Sequence, residues 1–169
     1  HRISEDIDLF TQESFSSYEL ERSIFEKLNG ASIAIDMSKK NTLRLRIDYV
    51  KVDLLYYPYA LIDKPLAIDE IRMLSIKDIA AMKLSAVSKR GAKKDFFDIY
   101  ELLQQRYTLK EMLNYYQTKY ENHELGFLTR SLLYFDDAEL EPDPVMVKSY
   151  NWQEVKKEIS SQVRKLVIN

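Results

Sequence analysis

The hydrophobic pattern changes its main period near Ser75, and that change limits the folds open to the chain. Before it, apolar residues alternate at every second position; after it, they recur about every 3.6, the repeat of an amphipathic helix. Residues 3–10, 31–37, 43–47 and 50–57 are the expected strands, with Asp48-Tyr49 turning the last pair into a hairpin that Pro58 closes. Residues 16–28 interrupt them as a helix, capped by Ser16 or Ser17 and stopped at Asn29-Gly30. Helices are then expected over 76–89, capped by Ser75 and broken at Gly91, and over 93–106. Others are expected over 108–120, with Thr108 and Glu111 as a capping box, 127–135 and 152–167. Residues 136–144, with two prolines and five acids, are expected as a loop. A small mixed sheet followed by helices is an α+β fold, divided here into a sheet region (1–74) and a helical region packing on it (75–169).

A chain of 169 residues is one domain, or one core with a helical extension. It has no cysteine, which excludes a disulfide scaffold, a zinc-thiolate site and a cysteine nucleophile together. Two histidines, His1 and His123, leave little for a histidine metal cluster or a serine-histidine triad. Twenty-five basic against 27 acidic side chains exclude a polycationic nucleic-acid binder, though not a local basic patch. The chain opens on His1 and not on methionine, with no signal peptide and no apolar run of membrane-spanning length, so a cytoplasmic location is expected. Any chemistry must run on carboxylates, lysines, arginines and hydroxyls.

The strongest candidate is Asp6 and Asp8, two positions apart on a strand and so on one face, close enough to share a divalent cation. Asp53 interrupts an apolar strand, where an acid must be paired or bind a metal. If the two strands are neighbours, three carboxylates converge for phosphoryl transfer, with one placed to accept a proton. The alternative for Asp53 is an ion pair with Arg44 or Arg46 on the facing strand. Lys83, Arg90 and Lys94 share a helix face if the break at Gly91 is mild, and a phosphate can sit at the following helix N-terminus beside Lys94. The alternative is a solvated face with ordinary ion pairs. Tyr56, Tyr57, Tyr59, Tyr115, Tyr116 and Tyr120 read more readily as packing residues than as a base-stacking platform.

On His1-Arg2-Ile3-Ser4-Glu5-Asp6-Ile7-Asp8-Leu9-Phe10, residues 50–59 with Asp53, Lys83-Leu84-Ser85-Ala86 through Arg90, and residues 94–103, the chain resembles the AbiEii/AbiGii toxin-type nucleotidyltransferases of the polymerase-beta-like superfamily. The resemblance implies transfer of a nucleoside monophosphate from a nucleoside triphosphate to an acceptor hydroxyl, on RNA (transfer RNA in some relatives) or protein, using Mg2+ (or Mn2+). It implies that Asp6, Asp8 and Asp53 bind metal and that Asp53 is the base. It implies that Lys83, Arg90, Lys94 and Asp95 position the triphosphate or acceptor, with Arg2 and Ser4 part of the signature. A cognate antitoxin is the implied partner. The family's glycine-rich segment before the aspartates has no counterpart, since Gly30, Gly91 and Gly126 all follow Asp6. An N-terminally truncated and poorly active enzyme is therefore expected, or an impaired member kept as an antitoxin-binding module. A three-carboxylate nuclease ranks last.

Overall fold

Strand β1 (Asp6–Thr11) is followed by helix α1 (Ser17–Lys27) and strands β2 (Ile33–Lys39), β3 (Thr42–Ile47) and β4 (Val50–Tyr56). The computed structural model describes residues 1–105 and 107–168. These five elements make up one compact unit, Ser4–Ala60; His1–Ile3 and Leu61–Asn169 make up the other. The four strands form one sheet in the order β1-β4-β3-β2. β1 runs parallel to β4, whereas β4, β3 and β2 are antiparallel neighbours. Asp48 and Tyr49 both take positive φ, 48° and 72°, which is the two-residue hairpin turn whose twist matches the strands.

Because side chains alternate along a strand, one face of this sheet is apolar. Leu43, Leu45 and Val52 are buried there, with Leu20 and Ile24 of α1 packed against them. The other face carries Arg44, Arg46, Lys51 and Asp53. β1 joins in register, Ile7 opposite Val52 and Leu9 opposite Leu54, so Asp6 and Asp8 fall on the polar face. Ser16 caps α1, accepting the Glu19 amide at 3.4 Å.

The second unit holds the β5 (Leu66–Ile68) and β6 (Ile71–Met73) hairpin, then α2 (Ile76–Arg90), α3 (Lys93–Gln104), α4 (Leu109–Tyr120), α5 (Gly126–Ser131), α6 (Asp136–Glu139) and α7 (Trp152–Ile168). Ser75 caps α2, Gly91 ends it in the left-handed conformation at φ 56°, and Thr108 with Glu111 forms a full capping box. The expected end of the α3 helix, Arg106, lies outside the described residues. Two expectations are corrected. Residues 136–144 are not all loop, because burying Ala138 winds 136–139 into a single helical turn. The 127–135 helix is shorter than its pattern suggests and ends at Ser131. The core centres on Trp152, whose ring lies 5.9 Å from that of Phe96 and 5.7 Å from that of Phe97.

The units divide at 60/61 and not at 74/75. Among the described residues the β5-β6 hairpin pairs only with itself, and the segment before it is bonded to α2 through the Ile62 amide and Asp78, at 3.0 Å. Residues 1–3 leave the sheet unit because the Ile3 amide donates to the Val145 carbonyl at 2.8 Å and the Val147 amide to the His1 carbonyl at 2.9 Å. No described helix is long and apolar enough to cross a membrane.

Asp78 also takes hydrogen bonds from Lys119 Nζ at 2.7 Å and Ser75 Oγ at 2.5 Å, and both charged side chains are buried. Burial pushes the Asp78 carboxyl up, but the bonds from Lys119, Ser75 and the Ile62 amide outweigh it, and its pKa falls below the ordinary value. Removing one partner strands a buried charge. Lys119→Met is expected to lower stability by about 3–5 kcal/mol, and Asp78→Asn added to it to recover part of that loss, in urea denaturation.

Candidate active site

The polar face of the sheet unit carries the acids expected from the sequence. Asp8 stands directly opposite Asp53, and Asp6 opposite Lys51. Adjacent strands lie about 4.8 Å apart, so side chains sharing a register position and a face are neighbours. Ser4 Oγ donates to Asp6 Oδ1 at 3.2 Å and to its backbone carbonyl at 3.1 Å, fixing the entry of β1. Asp53 lies opposite Arg44 on its other side, and Arg44 Nε meets Asp53 Oδ2 at 3.0 Å. The ion-pair alternative for Asp53 is therefore realised, with Arg44 as the partner. Arg46 instead donates to Asp36 Oδ1 at 2.7 Å, and Asp36 sits at a register shift in β2. A depression of about 300 Å³ opens on this face, lined by Asp6, Asp36, Met37, Arg44, Leu45, Lys51 and Asp53.

Oxygen donors alone, on neighbouring in-register strands, suit a hard cation such as Mg2+, which usually takes one or two carboxylates and completes its shell with water and phosphate oxygens. Asp8 and Asp53 are carboxylates of that type, and Asp6 is a third on the same face. Among the described residues, no three acidic or imidazole side chains are gathered into a set that would hold a metal ion. The donor types fit the cation; drawing in Asp53 requires it to share or give up Arg44.

A second charged cluster lies in the helical unit. The expected single face of Lys83, Arg90 and Lys94 does not form, because Gly91 ends α2. Convergence comes through Asp95 in the first turn of α3. Arg90 grips it with Nε at 2.7 Å and Nη2 at 2.9 Å, and Lys83 reaches it at 3.2 Å. Lys83 also contacts Asp98 at 2.6 Å. Arg2 Nε and Nη2 bind the two Asp98 oxygens at 2.6 and 2.9 Å, and His1 Nε2 lies 2.7 Å from Oδ1. Asp95 and Asp98 are buried, so each needs these cations. Lys94 is half-buried and, one position before Asp95, points to another side of α3. The α3 N-terminus is already occupied: the Lys93 amide donates to Glu141 Oε2 at 2.7 Å, where a phosphate was expected.

The sequence matches one family, the nucleotidyl transferase AbiEii toxin of type IV TA systems, over residues 1–166. The chain belongs to this AbiEii family. An uncharacterized protein of Aquifex aeolicus is 32% identical over all of this chain and 82% of its own length. A crystal structure of a candidate nucleotidyltransferase from H. pylori shares the fold at a TM-score of 0.53 and 16% identity, covering 98% of this chain and 78% of its own.

Within this AbiEii-family chain, sequence reasoning set Asp98 in the mixed-charge run 93–98 but gave it no site role, and it overlooked His1 as a member of the charged cluster and Asp36 and Glu141 as partners. Asp98 had a local signal: it follows Asp95 by three positions, on the same side of a helix whose Phe96, Phe97 and Ile99 are buried. Arg2 and His1 reach it only through the long-range pairing of residues 1–3 with 145–147 and left no local signal.

Burial pushes the Asp98 carboxyl up, yet the hydrogen bonds and charges of Arg2 and Lys83 carry it below the ordinary carboxylate value. A lowered pKa makes its contribution to stability complete above the unfolded value and lost as pH falls through the folded one. Asp98→Asn is therefore expected to flatten the fall in stability below about pH 4, read by urea unfolding at stepped pH. An unchanged acid profile would count against this network.

Proposed function

We propose that this AbiEii-family protein transfers a nucleoside monophosphate from a nucleoside triphosphate to an acceptor hydroxyl, on RNA or on protein, at the polar face of its sheet unit. The carrying observation is the register that sets Asp8 opposite Asp53, with Asp6 on the same face. Asp6, Asp8 and Asp53 would hold Mg2+ (or Mn2+). When bound, the cation supplies Lewis-acid stabilisation of the charge that develops on the phosphoryl oxygens. Asp53 accepts the proton of the acceptor hydroxyl as its oxygen forms a bond to the α-phosphorus and pyrophosphate departs. Ser4 holds Asp6 at the start of the strand. Lys83, Arg90 and Lys94 are the proposed phosphate-binding cations, with Asp95 orienting the first two and Arg2 anchoring Asp98 beside them. The reading places the reaction in the cytoplasm, with an antitoxin as regulatory partner.

Single Asp6→Asn, Asp8→Asn and Asp53→Asn variants that keep the wild-type circular dichroism are expected to lose about 10²–10⁴-fold in pyrophosphate release from a radiolabelled triphosphate. Wild-type turnover in any of them removes that residue from the site.

A second reading, a catalytically impaired member that serves as an antitoxin-binding module, draws on the Arg44–Asp53 ion pair and on the absence of a gathered metal set among the described residues. Thermal unfolding with Mg2+ and each triphosphate separates the two. A transferase at ligand concentrations near 100 times Kd gains about 2.7 kcal/mol and a higher midpoint, whereas the module gains nothing.

A further inference from the structure

Two arginines sit two positions apart on β3, facing the same way, and they are committed differently. Arg46 is tied to Asp36, which the proposed chemistry does not use. Arg44 is tied to Asp53, which it does. Arg44, Asp53 and Asp8 occupy one row across β3, β4 and β1. Asp53 thus has a guanidinium on one flank and a carboxylate on the other, and its Oδ2 is engaged on the β3 side.

We propose that Arg44 is a positioning residue that holds Asp53 toward β3 until a divalent cation competes it away. The proposal rests on the reading of Asp6, Asp8 and Asp53 as the cation-binding set. Like charges repel, so three carboxylates on one face do not close up on their own; Asp53 turns to the nearest positive charge. A planar guanidinium suits that task, because Nε and its neighbouring Nη offer a fixed fork to a carboxylate. The pair is also weak enough to open. The Arg44 side chain is 48% exposed and that of Asp53 26%, so solvent screens their attraction. A doubly charged ion at carboxylate-ligand distance, about 2.1 Å for Mg2+, attracts Asp53 more strongly than a singly charged group at 3.0 Å.

The test is Mn2+ binding to the full chain without nucleotide, followed by the loss of the free-ion electron paramagnetic resonance signal. Removing the competitor with Arg44→Gln is expected to tighten Mn2+ by about three- to fivefold, the span of a partly screened ion pair. Arg44→Lys keeps the charge without the fork and is expected to fall between the two. Arg46→Gln deletes the same charge on the same face but leaves the Arg44–Asp53 pair, and is expected to change affinity less than Arg44→Gln does. Equal tightening in the Arg44 and Arg46 variants, or none in Arg44→Gln, would overturn the proposal while leaving the cation site intact. Asp8→Asn binding Mn2+ as the wild type does would overturn the site reading and, with it, this one.

Discussion

An ionised carboxylate withdrawn from water must meet a cation, and much of this molecule is arranged around that demand. Asp78 meets Lys119 where α2 begins, and Glu101 takes Lys148 at 2.6 Å and Tyr150 Oη at 2.5 Å. Asp95 and Asp98 share Lys83 between Arg90 and Arg2. Apart from Arg90 with Asp95, each pair joins segments at least 12 residues apart in the chain. The ion pairs therefore set which loop lies on which helix, while Trp152, Phe96 and Phe97 belong to the apolar core beneath them.

The same demand operates at the polar face of the sheet with less burial and a different result. Asp53 is half-buried and partnered by one exposed arginine, an arrangement that holds a side chain without locking it. The contrast is with Asp95, which is fully buried and gripped by two Arg90 nitrogens.

Most elements were legible from the sequence because their signals are local. Ser16, Ser75 and the Thr108–Glu111 box mark helix starts through hydrogen bonds spanning three residues, and Gly91 marks a stop through a left-handed φ. The β5-β6 hairpin was illegible. Its strands are three residues each, too short to establish an alternation, and its turn places Asp69 and Glu70, not glycine, at positive φ. The basic face drawn through Lys83, Arg90 and Lys94 assumed a continuous helix. Two helices meeting at Gly91 brought Asp95 to the cations instead.

By itself the sequence determined which residues share a face. The two-residue repeat of a strand sets Asp6 with Asp8, Lys51 with Asp53 and Arg44 with Arg46, whatever the neighbours are. Tertiary structure decided which faces meet. The parallel pairing of β1 with β4, the register that puts Asp8 opposite Asp53, and the choice of Arg44 over Arg46 all depend on how separate strands align. A slip of one residue in that alignment would send Asp6 and Asp8 to the apolar side. Burial of Leu43, Leu45 and Val52 under α1 fixes the faces of β3 and β4, so the packing of one face holds Arg44 and Asp53 in place on the other.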